Sequence, residues 1–113
     1  MRGLTVRWSL VGAPADVADR LADYVEETSH ARFQGMEGLS YKTWRTIPGE
    51  WFEGLYVFAS DESRARFQAE FSAKADTAPA SQIIGRPPVL IEPCRVVAIA
   101  QGAQLLQATP RAE

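Results

Sequence analysis

One stretch constrains the fold of this chain more than any other. From Phe52 to Ala59 the residues alternate as a β-strand, with Phe52, Gly54, Tyr56 and Phe58 on one side and Leu55, Val57 and Ala59 on the other. Neither side suits water. An antiparallel sheet covered on one face alone carries polar residues on its wet face, so a strand that is apolar on both needs a second cover. At 113 residues the chain forms one domain with a single modest core, burying roughly 65% of its unfolded surface. The simplest second cover is another copy of the same sheet, which predicts a symmetric homodimer with a cavity between or beside the sheets.

The rest of the chain supplies a sheet for that strand. Leu4, Val6, Trp8 and Leu10 alternate with Thr5, Arg7 and Ser9, a first strand broken by Gly12-Ala13-Pro14. From Pro14 to about Ala31, Val17, Leu21, Tyr24, Val25 and Thr28 recur at helical spacing, with Pro14 suited to a first turn. Leu39 to Thr46 reads as a second strand after the turn Gly35-Met36-Glu37-Gly38, and Pro48-Gly49 joins it to the third as a hairpin. Ser60-Asp61-Glu62 opens a second helix that runs to about Ala75 and buries Phe67 and Phe71. Ser81 to Ile84 makes at most one helical turn before Gly85-Arg86-Pro87-Pro88. Val89 to Ala100 is the last strand, and Pro93 puts it at a sheet edge or a bulge, because a central strand needs the missing N–H. The expected fold is α+β, a ferredoxin-like β-α-β-β-α-β order with an antiparallel sheet carrying both helices on one face. Residues 1–113 form a single domain in this reading, with a loosely held tail or arm from about residue 102.

Charge and motifs remove several functions. Twelve basic and fourteen acidic residues, dispersed along the chain, give a net charge of −2 and no basic cluster, so nucleic acid is not an expected partner. No apolar run reaches the roughly 18 residues of a membrane span, and Met1-Arg2-Gly3 leads straight into a strand rather than a signal peptide. A cytoplasmic location is expected, and the lone Cys94 is read there as a small buried or half-buried residue. No GxGxxG, GxxxxGK[ST] or GxSxG motif occurs. A single histidine, His30, without a partner at ligand spacing makes a metal site unexpected. A surface or capping role at the end of the first helix suits His30 better than catalysis.

With Leu4, Val6, Trp8, Leu55 and Val57 taken as the helix side, the opposite face collects Arg7, Ser9, Ser40, Lys42, Trp44, Tyr56 and Phe58. Aromatic walls with a few cations and hydroxyls are what a flat organic ligand requires. The plainer reading of the same residues is dimer packing, with Arg7 and Lys42 reaching the rim. The assignment of faces rests on parity and slips by one residue at any bulge.

The run Gly38-Leu39-Ser40-Tyr41-Lys42-Thr43-Trp44, followed by Glu53-Gly54-Leu55-Tyr56-Val57-Phe58, resembles the YdhR-type monooxygenase family, a branch of the dimeric α+β barrel superfamily. Lys42 and Trp44 match its Lys-x-Trp, and Gly54, Tyr56 and Phe58 match its Gly-Gly-x-Tyr-x-Phe-like strand, with Glu53 in place of the first glycine. The likeness covers roughly residues 4 to 75. It implies a homodimer with a pocket between sheet and helices, and oxygenation of an aromatic or polyketide-like small molecule without metal, haem or flavin. Such a reaction needs a substrate that supplies its own electrons to oxygen once deprotonated, in a site that stabilises the anion and excludes water. Under that resemblance Arg7, Lys42 or Arg95 stabilises the anion, Trp44, Tyr56 and Phe58 wall the ring, and Tyr56 or His30 moves a proton. A polyketide cyclase or isomerase would use the same pocket without oxygen. A non-catalytic ligand-binding module would use it without chemistry, and a haem-degrading relative would depend on His30 as axial ligand.

Overall fold

In the computed structural model of the chain, which describes residues 2–113, four strands form one antiparallel sheet: β1 (Arg2–Ser9), β2 (Leu39–Ile47), β3 (Trp51–Phe58) and β4 (Leu90–Arg95). Their order across the sheet is β2-β3-β1-β4. Between β1 and β2 the chain is helical as α1 (Val17–Tyr24), a π-helical segment (Val25–Ser29) and α2 (His30–Phe33). Between β3 and β4 lie α3 (Asp61–Ala73), a 3-10 turn (Ala75–Thr77) and α4 (Pro79–Ile84). This is the expected α+β, ferredoxin-like arrangement, and Met1 lies outside the described residues.

The ends of the elements have local causes. The hydroxyl of Ser60 accepts from the Ser63 N–H at 3.1 Å, capping α3 above its acidic first turn. Pro93 sits in β4, an edge strand, where the ladder spares its donor. That strand stops at Arg95 rather than Ala100, because its ladder partner Arg2 is where β1 begins. The first helix starts at Val17 rather than Pro14, with Pro14 in the preceding turn accepting from the Val17 N–H at 3.0 Å. It also runs past Ala31 to Phe33, and it contains one wide turn in which the His30 N–H donates to the Val25 carbonyl, five residues back.

Register corrects the faces. Arg2 lies opposite Phe58, Leu4 opposite Tyr56, Val6 opposite Gly54 and Trp8 opposite Phe52, so the helix side of β3 is Phe52, Gly54, Tyr56 and Phe58. Lys42 pairs with Tyr56 and Trp44 with Gly54, which brings both to that same side. Leu55 and Val57 lie on the other face. Parity groups the residues correctly within β1, β3 and β2 from Tyr41 onward, while a bulge between Leu39 and Tyr41 brings Leu39 to the side of Lys42; cross-strand pairing decides which group meets Leu4 and Val6, and no single strand contains that information. Tyr56 and Phe58, 3% and 2% exposed, pack under the helices against Phe67, whose ring lies 4.8 Å and 5.6 Å from theirs. Trp8 donates from Nε1 to the Ser81 hydroxyl at 2.9 Å, and that hydroxyl donates to the Ala75 carbonyl at 2.7 Å, which fixes α4 against the sheet.

The open face is therefore less greasy than the alternation suggests. At its centre Glu53, wholly buried, accepts from Arg7 Nε (3.0 Å) and Nη2 (2.6 Å) on one oxygen, and from Arg45 Nε (2.9 Å) and Nη2 on the other. Tyr41, Ile47, Trp51 and Leu55 stand around this triad, partly or fully exposed. Cys94 is exposed on β4 and not buried as expected, because Gly3 opposite it leaves the thiol beside bare backbone at a sheet edge. The tail after Arg95 has no regular element. It exposes Val97, Ile99, Leu105 and Leu106, yet Arg111 returns to pair with Asp23 (3.0 Å) and Glu26 (3.2 Å).

Candidate functional site

Lys42 is the residue around which a site forms. β2 delivers it to the helix side, where its ammonium nitrogen lies 3.5 Å from the Phe33 ring centroid, 4.3 Å from Tyr56 and 4.4 Å from Trp44. Among the described residues no carboxylate pairs with it. Gly54 favours this, since a Cβ there would stand 3.2 Å from Lys42 Cε and 3.3 Å from the Tyr56 hydroxyl, and both side chains would have to shift to make room for it. Burial pushes the Lys42 amine well below the ordinary lysine value, and the nearby Arg32 guanidinium lowers it further. Burial pushes the Tyr56 phenol above its ordinary range against the opposing charge of Arg32, so Tyr56 stays protonated and is a donor.

These groups border a cavity of about 470 Å³ between the sheet and the helices. Trp8, Phe52 and Phe71 supply apolar wall, Tyr24 and Glu70 add polar edges, and the exposed Arg32 stands at the rim. A second cavity of about 550 Å³ shares Phe33, Lys42 and Trp44 with the first, so these three side chains divide the two. Its other walls include His30, Met36, Tyr41 and tail residues between Leu106 and Ala112.

Of the residues singled out from the sequence, Lys42, Trp44 and Tyr56 come together here. His30 is half-buried with its ring 5.9 Å from Trp44, and it faces the second cavity rather than the first. Phe58 stacks on Tyr56 at 5.9 Å and backs the site without lining it. Arg7 lies on the opposite face of the sheet, committed to Glu53 and stacked over Trp51 at 4.3 Å. Arg95 is exposed at the end of β4, one strand beyond β1. Neither arginine reaches the cavity. Sequence reasoning missed Phe33 and Arg32, because the helix pattern was ended two residues too soon. It also missed Glu53, whose signal was an acid inside an apolar strand with Arg7 and Arg45 in the flanking ones.

Glu53 has a structural explanation. Burial pushes its carboxyl up, but the hydrogen bonds and charges of Arg45 and Arg7 outweigh this and hold it below its ordinary value. Among the described residues, no group of three or more His, Cys, Asp or Glu is placed to hold a metal ion. No described helix is long and apolar enough to cross a membrane.

No family model matches this chain, and a search of curated proteins finds no match. Among solved structures, a Nitrosomonas europaea protein of unknown function is similar, with a TM-score of 0.62 and 23% identity over 91% of this chain and 95% of that one. At that identity the likeness bears on the fold, and it supports the α+β sheet-and-helix architecture over nearly the whole of both chains.

Proposed function

We propose that the domain is a YdhR-type, cofactor-independent monooxygenase that takes a flat phenolic or polyketide-like molecule into the cavity beside Lys42. The observation that supports this most directly is the Lys42 amine, held over three aromatic rings without a carboxylate partner among the described residues. Desolvation favours the neutral form of this amine, which then acts as the base that removes the acidic proton of a bound ring system. The ammonium thus formed and Arg32 stabilise the anion, while the protonated Tyr56 hydroxyl donates to its oxygen. The carbanion reduces dioxygen. A CH₂ becomes a carbonyl, one oxygen atom stays on the carbon, and the other leaves as water with the two hydrogens. A cyclase or isomerase reading is favoured by the same Lys42–Tyr56 pair, since a base and an acid on one ligand suffice for proton transfer without oxygen.

The proposed unit is a homodimer with the open sheet faces opposed, in which Tyr41, Ile47, Trp51 and Leu55 of each copy are covered. Oxygen uptake with anthrone- or quinol-like compounds tests the reaction. The expected result is one oxygen consumed per product, and a Trp44→Ala variant weakened about tenfold, the value of one lost aromatic contact of about 1.4 kcal/mol. Product without oxygen uptake selects the isomerase. A ligand-induced rise in Tm with neither product nor oxygen uptake selects a binding module. Unchanged affinity and turnover in Trp44→Ala remove Trp44 from the site.

A further inference from the structure

The chain has two lysines, and their surroundings differ. Lys74, at the end of α3, borders the cavity but is exposed to water, whereas Lys42 is half-buried among Phe33, Trp44 and Tyr56 at the edge of the same cavity, which is large enough for a bicyclic ligand. A lysine kept as a binding cation is placed near a carboxylate or in water. This one is half-buried with no carboxylate partner among the described residues, and Gly54 leaves the gap through which its terminal carbons bend inward. The charged and titratable groups around it are Arg32, Tyr24 and Tyr56, with Glu70 and Lys74 on the wall of the same cavity and His30 on that of the second, and among the described residues none of them forms an ion pair with Lys42.

We infer that Lys42 is a nucleophile that captures aromatic or conjugated aldehydes and ketones carrying an acidic group, forming an imine inside the cavity. The inference rests on the cavity being a small-molecule site, as proposed above, and it names a substrate class and a covalent role for it. The amine lone pair attacks the carbonyl carbon, and the carbonyl π pair moves to oxygen, which takes a proton from the Tyr56 side of the cavity. The carbinolamine hydroxyl then takes one of the two nitrogen protons and leaves as water, while the other nitrogen proton returns to the Tyr56 side, leaving C=N in place of C=O. One water is released, the borrowed proton is returned, and no oxidant is consumed. Burial of the amine supports this, because it favours the neutral form whose lone pair attacks. Arg32 at the rim fits the acidic substituent, and the rings of Trp44 and Phe33 fit the conjugated body.

The test uses the full chain, para-formylbenzoate as carbonyl probe and cyanoborohydride as the reductant that fixes the imine. Peptide mapping then reads Lys42, Lys74 and the N-terminal amine side by side in one molecule. The expected result at neutral pH is a Lys42 adduct favoured over Lys74 by about tenfold or more, with the preference lost in urea. Equal labelling of the two lysines, a preference that survives unfolding, or no Lys42 adduct at saturating probe overturns the inference. Benzoate, which has no carbonyl, separates this from the wider reading. If benzoate and para-formylbenzoate both raise Tm while Lys42 stays unmodified, the cavity stands and the nucleophile falls. If Lys42 is modified while anthrone-like compounds consume no oxygen, the nucleophile stands and the oxygenase falls.

Discussion

An ammonium over three rings has given up most of its water, and the ring quadrupoles return only about 0.5–2 kcal/mol of that. For Lys42 desolvation wins, and its folded-state value falls below that of the unfolded chain. Between those two values the unfolded chain holds the extra proton, so stability rises with pH across that window. Replacing Lys42 with Met keeps the length and removes the charge. Urea unfolding over a pH series should show Lys42→Met more stable than wild type by about 1–2 kcal/mol near neutral pH, with that rise abolished. A variant less stable at every pH would mean that the ammonium is charged and held favourably. Glu53 behaves in the opposite sense. Its folded value is depressed, so its contribution is present above the ordinary carboxylate range and is lost as pH falls through the depressed value. Because its two arginines are 37% and 52% exposed, Glu53→Gln should cost about 2 kcal/mol, less than a fully buried pair, and should flatten the acid limb of the stability curve.

Among the elements, the π-helical segment Val25–Ser29 has the largest effect on the site for its length. One wide turn sets the angular position of everything after it, including Phe33, which meets Lys42, Tyr56 and Trp44. Deleting the exposed Glu27 would restore ordinary helical hydrogen bonding and rotate α2 relative to α1 by about 100°. The expected outcome is loss of the aromatic near-ultraviolet circular dichroism signal and of ligand binding, with helix content kept. Unchanged spectra and affinity would show that the wide turn does not position Phe33. The pattern of Val17, Leu21 and Val25 made a helix legible from residue 17 onward. The wide turn was not legible, since it depends on which backbone hydrogen bonds form once α1 and α2 both pack on the sheet.

At the scale of the whole molecule, the proposed homodimer depends on how the open face divides between charge and apolar side chains. Trp44, Tyr56 and Phe58, expected from the sequence on the face away from the helices, are spent on the chain's own helices. What remains outside is Tyr41, Ile47, Trp51 and Leu55 around a satisfied Arg7–Glu53–Arg45 triad. Sedimentation at micromolar concentration is expected to give a dimer, and Leu55→Glu, which sets a carboxylate in the middle of that face, is expected to give a monomer of unchanged secondary structure. A wild-type monomer would remove the homodimer. An unaltered dimer in Leu55→Glu would move the interface elsewhere.

Local information determined the order of the elements, the hairpin, the cap at Ser60 and the edge placement forced by Pro93, because periodicity, turn residues and missing donors act within a few residues of where they are written. It also grouped Tyr56 with Phe58, and Lys42 with Trp44. Only the tertiary structure decided that both pairs face the helices, that Arg7 and Arg95 stand apart from them, and that Phe33 closes the ring around Lys42. Those facts follow from which strand lies beside which, and in what register. Cross-strand pairing is a relation between residues dozens of positions apart, and burial shifts the chemistry of a lysine only after that pairing has excluded water from around it.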